Sequence, residues 1–233
     1  MKTIGLIGGM SWESTTTYYS LINREMQKRL GGMHSARILL HSFDFDDIAT
    51  LQHAGQWAEA QSCLVAAGVG LARAGADFLV VCTNTMHIAA RAIEKGADIS
   101  VLHIADPLGK AICSAGLKRV GLLGTQFTME KEEVLRGRLT DKYGLSLLAP
   151  EGEEAREVNR IIYDELVRGK FLDSSRARCC SIIAGLVAQG AQGIILGCTE
   201  LPLLIKPEDS TVPLFDTTTL HALAAVDWAL EHP

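Results

Sequence analysis

The chain has 233 residues, 48% of them hydrophobic and 21% charged, with a formal net charge of −5. That length holds one large domain or two small ones, and that composition belongs to a packed globular protein rather than a disordered one. An acidic balance with no cluster of Lys and Arg excludes nucleic acid and anionic membrane as main partners, because neither would meet a cationic surface.

Met1 leads directly into a strand-like run, Thr3 to Ile7, with no basic segment, long apolar stretch or cleavage site before it, so a cytoplasmic protein is expected. The periodicity then predicts a helix over about 14–29, a strand over Ala36 to Ser42, a helix over about 56–74 and a strand over Phe78 to Val81. The second half predicts a strand over Arg119 to Leu123, a helix near 130–142, a strand over Leu145 to Ala149, helices near 154–168 and 173–189, and a strand over Gly193 to Leu196. Gly144, Gly169 and Gly190 stand where helix C-caps are expected. Short β-branched runs alternating with helices describe an α/β protein whose strands are parallel and buried on both faces, joined by right-handed crossovers. None of the apolar runs is long enough to span a membrane.

The second half repeats the first. Lys2 to Met10 (KTIGLIGGM) matches Lys118 to Gln126 (KRVGLLGTQ), and Ala76 to His87 (ADFLVVCTNTMH) matches Ala191 to Leu203 (AQGIILGCTELPL). The spacing is kept: Gly5 and Thr83 are 78 positions apart, Gly121 and Cys198 are 77. A third pair, Val101 to Ala111 and Val212 to Ala222, follows in the same order, each with an aspartate, Asp106 or Asp216. Two pseudo-symmetric parallel-sheet domains are therefore expected, with helices on both faces and the site in the cleft between them. The first domain is expected to hold 1–100 with 212–233, the last helix crossing back to it, and the second 101–211.

Ligands of open α/β sheets lie outside the carboxyl ends of the strands. The residues there are small, polar and repeated: Gly8 to Ser11, Cys82 to Thr85, Gly124-Thr125 and Gly197 to Glu200. Cys198 is expected at a strand-to-helix turn, where backbone N–H groups and the helix dipole favour a thiolate. Its counterpart is Thr83. Neighbouring side chains of an extended segment point to opposite faces, so only one of Cys82 and Thr83 can reach the site, and Cys82 reads more simply as a core thiol. The glycines after the first strand lack dinucleotide spacing, the six cysteines are expected to be free thiols, and His87 and His221 read as satisfied helix-face histidines. No metal site is inferred, because no His, Cys and carboxylate spacing suits one.

The motifs GGM near the start, N-T-M-H after the middle strand and G-C-T-E-L in the second half make the chain similar to the cofactor-independent aspartate/glutamate racemase superfamily, over nearly its whole length. It looks closest to the bacterial racemases specific for L-aspartate and L-glutamate. In that family one cysteine from each domain flanks the substrate Cα, and those positions correspond here to Thr83 and Cys198. Thr83 is a departure. The resemblance implies a two-base racemase that needs no pyridoxal phosphate or other cofactor, with Cys198 as thiol acid and base and Thr83 opposite it. Met10, Asn84, Thr85, Thr125 and Thr199 are expected in the pocket, with Gln52 and Thr128 added on the resemblance alone. Glu165, on a helix, either reaches the substrate ammonium or faces solvent. The expected partners are a small amino acid and a second copy of the chain in a homodimer. Two other readings remain open: a one-cysteine decarboxylase or isomerase of the same superfamily, and a binding protein that has lost catalysis.

Overall fold

The computed structural model describes residues 1–231. It has the expected α/β architecture, two four-stranded sheets, every strand pair parallel, with helices around them.

The first sheet comprises β1 (Ile4–Gly8), β2 (Ile38–Ser42), β3 (Phe78–Val81) and β4 (Val101–Leu102), in the order β2-β1-β3-β4. Between them run α1 (Trp12–Leu30), α2 (Phe45–His53), α3 (Trp57–Arg73), a 3₁₀ turn (Thr85–Ala89) and α4 (Ala90–Ala97). The two-residue period of the strands divides the core. Ile4, Leu6, Phe78, Val80 and Cys82 pack with Tyr18, Ile22 and Met26 of α1, whereas Ile7, Leu79 and Val81 pack with Leu64, Ala67 and Leu71 of α3 and Ile93 of α4.

The second sheet repeats the topology with β5 (Arg119–Leu123), β6 (Ser146–Leu148), β7 (Ile194–Leu196) and β8 (Leu214–Asp216), in the order β6-β5-β7-β8. Its helices are α5 (Ala105–Ser114), α6 (Gln126–Glu130), α7 (Gly137–Tyr143), α8 (Gly152–Arg160), α9 (Asp173–Ala188) and the single turn α10 (Leu201–Leu204). The helices expected near 130–142 and 154–168 are not continuous. A π turn (Glu132–Arg136) precedes α7, and α8 runs into a second π turn (Ile161–Glu165) and a 3₁₀ turn (Leu166–Arg168). In the second, the π turn buries Ile161, Ile162 and Glu165. Gly144 and Gly169 close their helices in the left-handed region, φ 63° and 68°.

The chain returns to the first sheet through α11 (Thr217–Leu230), where Ala222, Ala225, Val226 and Ala229 form one stripe at helical spacing beneath Ile4, Phe78 and Cys82. Two compact units result, Met1–Ile104 with the chain from His221 onward, and Ala105–Leu220. These boundaries fall later than the 100/101 and 211/212 read from sequence. Residues 101–102 still pair with β3 and residues 214–216 pair with β7, so each repeat keeps its fourth strand. Among the described residues, no helix is long and apolar enough to cross a membrane.

Candidate active site

In the first unit, β1 ends in a glycine turn. Gly9 has φ 87°, and a Cβ there would run into the backbone of Phe43, so glycine alone lets the loop after β2 approach. Gly9 N–H donates to Thr15 Oγ1 at 2.9 Å, and Ser11 caps α1. Met10 is buried in the core cluster that holds Met86, and Gln52, also buried, donates from Nε2 to Met86 Sδ at 3.0 Å. These candidates thus come together under the strand ends.

At the end of β3, Cys82 is fully buried on the α1 and α11 side, and its thiol is pushed up by that burial. Thr83, partly exposed, follows Leu79 and Val81 on the other side. Asn84 and Thr85 are buried in the same turn. His87 fixes it. Its Nδ1 donates to the Thr83 carbonyl at 2.7 Å and its Nε2 accepts Ile104 N–H at 3.1 Å. A ring bonded this way is neutral and held in one tautomer. His221 is engaged at both nitrogens too, donating from Nε2 to Leu102 O at 2.8 Å and accepting the Tyr18 hydroxyl at Nδ1 at 2.8 Å. Both histidines are structural clamps.

In the second unit, Cys198 extends the Ile194, Leu196 side of β7, the same alternation that puts Thr83 after Leu79 and Val81. The two residues therefore hold equivalent places in the two repeats. Gly197 N–H donates to Leu123 O at 2.6 Å, and a Cβ on Gly124 would lie 3.0 Å from Gly197 O and 3.2 Å from Thr128 Cβ, so the turns after β5 and β7 touch. Thr125 caps α6, accepting from Thr128 N–H at 3.2 Å, and the two hydroxyls lie 3.1 Å apart. Thr125, Thr128, Cys198 and Thr199 are thus neighbours, all at least nine-tenths buried.

Cys198 Sγ donates to Glu200 Oε2 at 3.0 Å, and the Thr199 hydroxyl donates to the same oxygen at 2.8 Å. The expectation of a favoured thiolate is reversed. Burial, and then the Glu200 carboxylate, push the Cys198 thiol well up, while the N–H groups of Glu200 and Leu201 only partly oppose them. α10 is a single turn and supplies little dipole. Tyr163, presented by the π turn, is pushed up mainly by burial and further by Cys198 and Glu200.

Glu165, on the same turn, is buried and not solvated. Its oxygens meet Arg160 Nη1 at 2.9 Å and Ser175 Oγ at 2.5 Å, the contacts of a carboxylate that ties the turn to α9. Sequence reasoning assigned no role to Glu200 or Tyr163. The i, i+2 spacing of Cys and Glu in a tight turn could have pointed to the first, but the π turn that presents the second has no sequence signal. Thr218, after β8, is a further buried side chain whose hydroxyl has no hydrogen-bond partner among the described residues. Also among the described residues, no three His, Cys, Asp or Glu side chains gather to hold a metal ion.

A family model described as Asp/Glu/hydantoin racemase matches residues 7–225. A solved structure from Yersinia pestis, assigned to the Asp/Glu racemases, is 49% identical and superposes with a TM-score of 0.92, covering 99% of this chain and 100% of that one. An aspartate racemase homologue from Pyrococcus horikoshii is 31% identical with a TM-score of 0.84, covering 99% and 100%. The broad-specificity amino-acid racemase RacX of Bacillus subtilis is 23% identical over 237 residues, covering 98% of this chain and 99% of that protein. With nearly its whole length matched, the chain belongs to the Asp/Glu/hydantoin racemase family.

Proposed function

We propose that the chain is a cofactor-independent racemase of an acidic amino acid, aspartate or glutamate, with Cys198 as the thiol acid and base and Thr83 on the opposite face of Cα. The observation that carries this reading is the equivalence of Thr83 and Cys198 at the carboxyl ends of β3 and β7. Family membership, and relatives named for amino-acid racemisation, support it.

Inversion through a planar carbanion needs one group to remove the α-proton and another to deliver a proton from the far side, with acting atoms roughly 6–8 Å apart across Cα. Cys198 takes the proton from the L-enantiomer, and Thr83 donates or relays one to the other face. A hydroxyl is too weak an acid to act as a base near neutrality, so abstraction from the D-enantiomer is the harder half-reaction. At equilibrium kcat/KM must be equal in the two directions for a complete cycle, so any preference appears in kcat and KM separately. Backbone N–H groups at Asn84, Thr85 and Thr199 are suited to stabilise the enolate-like charge.

A panel of L- and D-amino acids, resolved by chiral chromatography, tests the assignment. Interconversion of aspartate or glutamate is expected, and inversion of neutral amino acids alone would overturn the substrate class. The single thiol favours one other reading, a decarboxylase or isomerase that protonates a planar centre from one face. Such an enzyme would leave the panel uninverted.

A further inference from the structure

We infer that His87 is a positioning residue for inversion: its ring holds the Thr83 backbone where the Thr83 hydroxyl can serve the far face of Cα, and it leaves the proton step at Cys198 untouched. The inference rests on the reading that Thr83 acts on that face.

Within the first unit, Thr83 is tied on both sides. Before it, Cys82 N–H donates to Ile7 O of β1 at 2.9 Å. After it, the Thr83 carbonyl accepts from His87 Nδ1 at 2.7 Å, and the same ring accepts Ile104 N–H at Nε2 at 3.1 Å. One imidazole therefore joins the turn after β3 to the segment after β4. The ring has little room to turn, because His87 is 2% exposed and the rings of His103 and His221 lie 4.8 and 5.5 Å from it, centroid to centroid. His221 donates to Leu102 O at 2.8 Å, so both histidines grip the same short segment. A threonine is stiff at χ1, and the place of its hydroxyl follows from the place of its backbone.

The second repeat holds its turn differently. Four residues beyond Cys198, as His87 is beyond Thr83, stands Pro202, which has no side-chain donor. The Cys198 carbonyl accepts instead from the backbone N–H of Leu201 at 3.2 Å. The side-chain clamp thus belongs to the threonine repeat alone, and its consequence is a partition between two outcomes. Cys198 takes the α-proton of the L-enantiomer, its S–H exchanges with D₂O, and the thiol returns a deuteron to the same face, which is exchange with retention. Delivery from Thr83 to the other face is inversion. A misplacement of about 1 Å can cost about 10²-fold in rate, so loosening the Thr83 turn lowers inversion and spares exchange.

Two amides divide the two bonds of the ring. His87→Asn puts an N–H near the place of Nδ1 and keeps the donor to Thr83. His87→Gln reaches the place of Nε2, keeps an acceptor for Ile104 N–H and loses that donor. His221→Gln is the control, a buried histidine of the same cluster that bonds Leu102 and Tyr18 instead of Thr83. Each protein is incubated with L-aspartate and L-glutamate in D₂O, with exchange read as loss of the Cα–H signal by proton NMR and inversion as D-enantiomer by chiral chromatography. The ratio of inversion to exchange is expected to fall by about 10–10²-fold in His87→Gln. It is expected to stay at the wild-type value in His87→Asn, and in His221→Gln even where the thermal unfolding midpoint drops. A structural role alone would lower both rates together with the midpoint and leave the ratio as it was. An unchanged ratio in His87→Gln, or one that falls as far in His87→Asn or His221→Gln, overturns the inference. If His87→Gln does not fold, His87→Asn decides: a retained ratio supports the inference and a fallen one overturns it. A wild type that neither exchanges nor inverts an amino acid overturns instead the reading on which it rests, before any variant is compared.

Discussion

The alternation along β3 gives two adjacent side chains opposite fates. Cys82 closes the core over α1 and α11, with Phe78 and Val80 on the same side, while Thr83 emerges at the strand end. Cys82→Ala should therefore cost stability, about 1 kcal/mol for a methyl-sized deletion, and leave turnover unchanged, as a urea titration and an exchange assay would record. Thr83→Cys should raise turnover of the D-enantiomer, because a thiol placed there can abstract where a hydroxyl cannot. Loss of activity in Cys82→Ala with tolerance at Thr83 would mean that the turn presents the wrong neighbour. A third residue, Asp106, follows β4 and gathers Arg138, Lys142 and the Tyr143 hydroxyl. Burial opposes its ionisation, but these donors prevail and hold the carboxyl well below the usual range. A depressed folded-state pKa contributes stability that is present above the unfolded value of about 3.9 and is lost as the pH falls through the folded one. Asp106→Asn should thus be less stable than the wild type at neutral pH, with the gap closing in strong acid; a gap independent of pH would contradict this.

Between residue and fold, the glycine turn after β1 and the two π turns do most to shape the strand ends. Gly9→Ala puts a side chain at φ 87° and into the Phe43 backbone, so it should destabilise by at least about 1–3 kcal/mol, measurable by thermal unfolding. The strands β1, β3, β5 and β7 were legible because parallel buried strands read as β-branched runs bounded by glycine, and α1 and α3 because their apolar stripes are long. The interruptions in the second unit were not. Ile161 to Glu165 looks like continuing helix in sequence, and only the packing of Ile161 and Ile162 into the core with α9 adds the extra residue to the turn. That widened turn faces Glu165 to Ser175. Glu165 is accordingly buried rather than facing solvent. The strands β4 and β8, two and three residues long, are too short for any periodicity, so neither was legible in the sequence.

At the scale of the whole molecule, the repeat visible in the sequence is a repeat of topology, β2-β1-β3-β4 and β6-β5-β7-β8. It was legible because duplication keeps spacing even where residues have diverged. The chemistry at each strand end was only half legible: Thr83 and Cys198 could be paired by alignment, but the Glu200 contact depends on a turn conformation that alignment does not carry. The first unit is completed by α11, whose alanine stripe lies against β1 and β3. Truncation after Leu220 should therefore expose that core and abolish cooperative unfolding of the first unit, although every strand of both sheets is retained. The central claim, proton removal at Cα by Cys198, is tested most directly by proton NMR of L-aspartate and L-glutamate in D₂O with wild-type protein and Cys198→Ser. The account predicts loss of the Cα–H signal in the wild type, with the D-enantiomer appearing on chiral chromatography of the same samples, and a rate lower by about 10²–10⁴ or more in the variant. Equal exchange by the two proteins would contradict it.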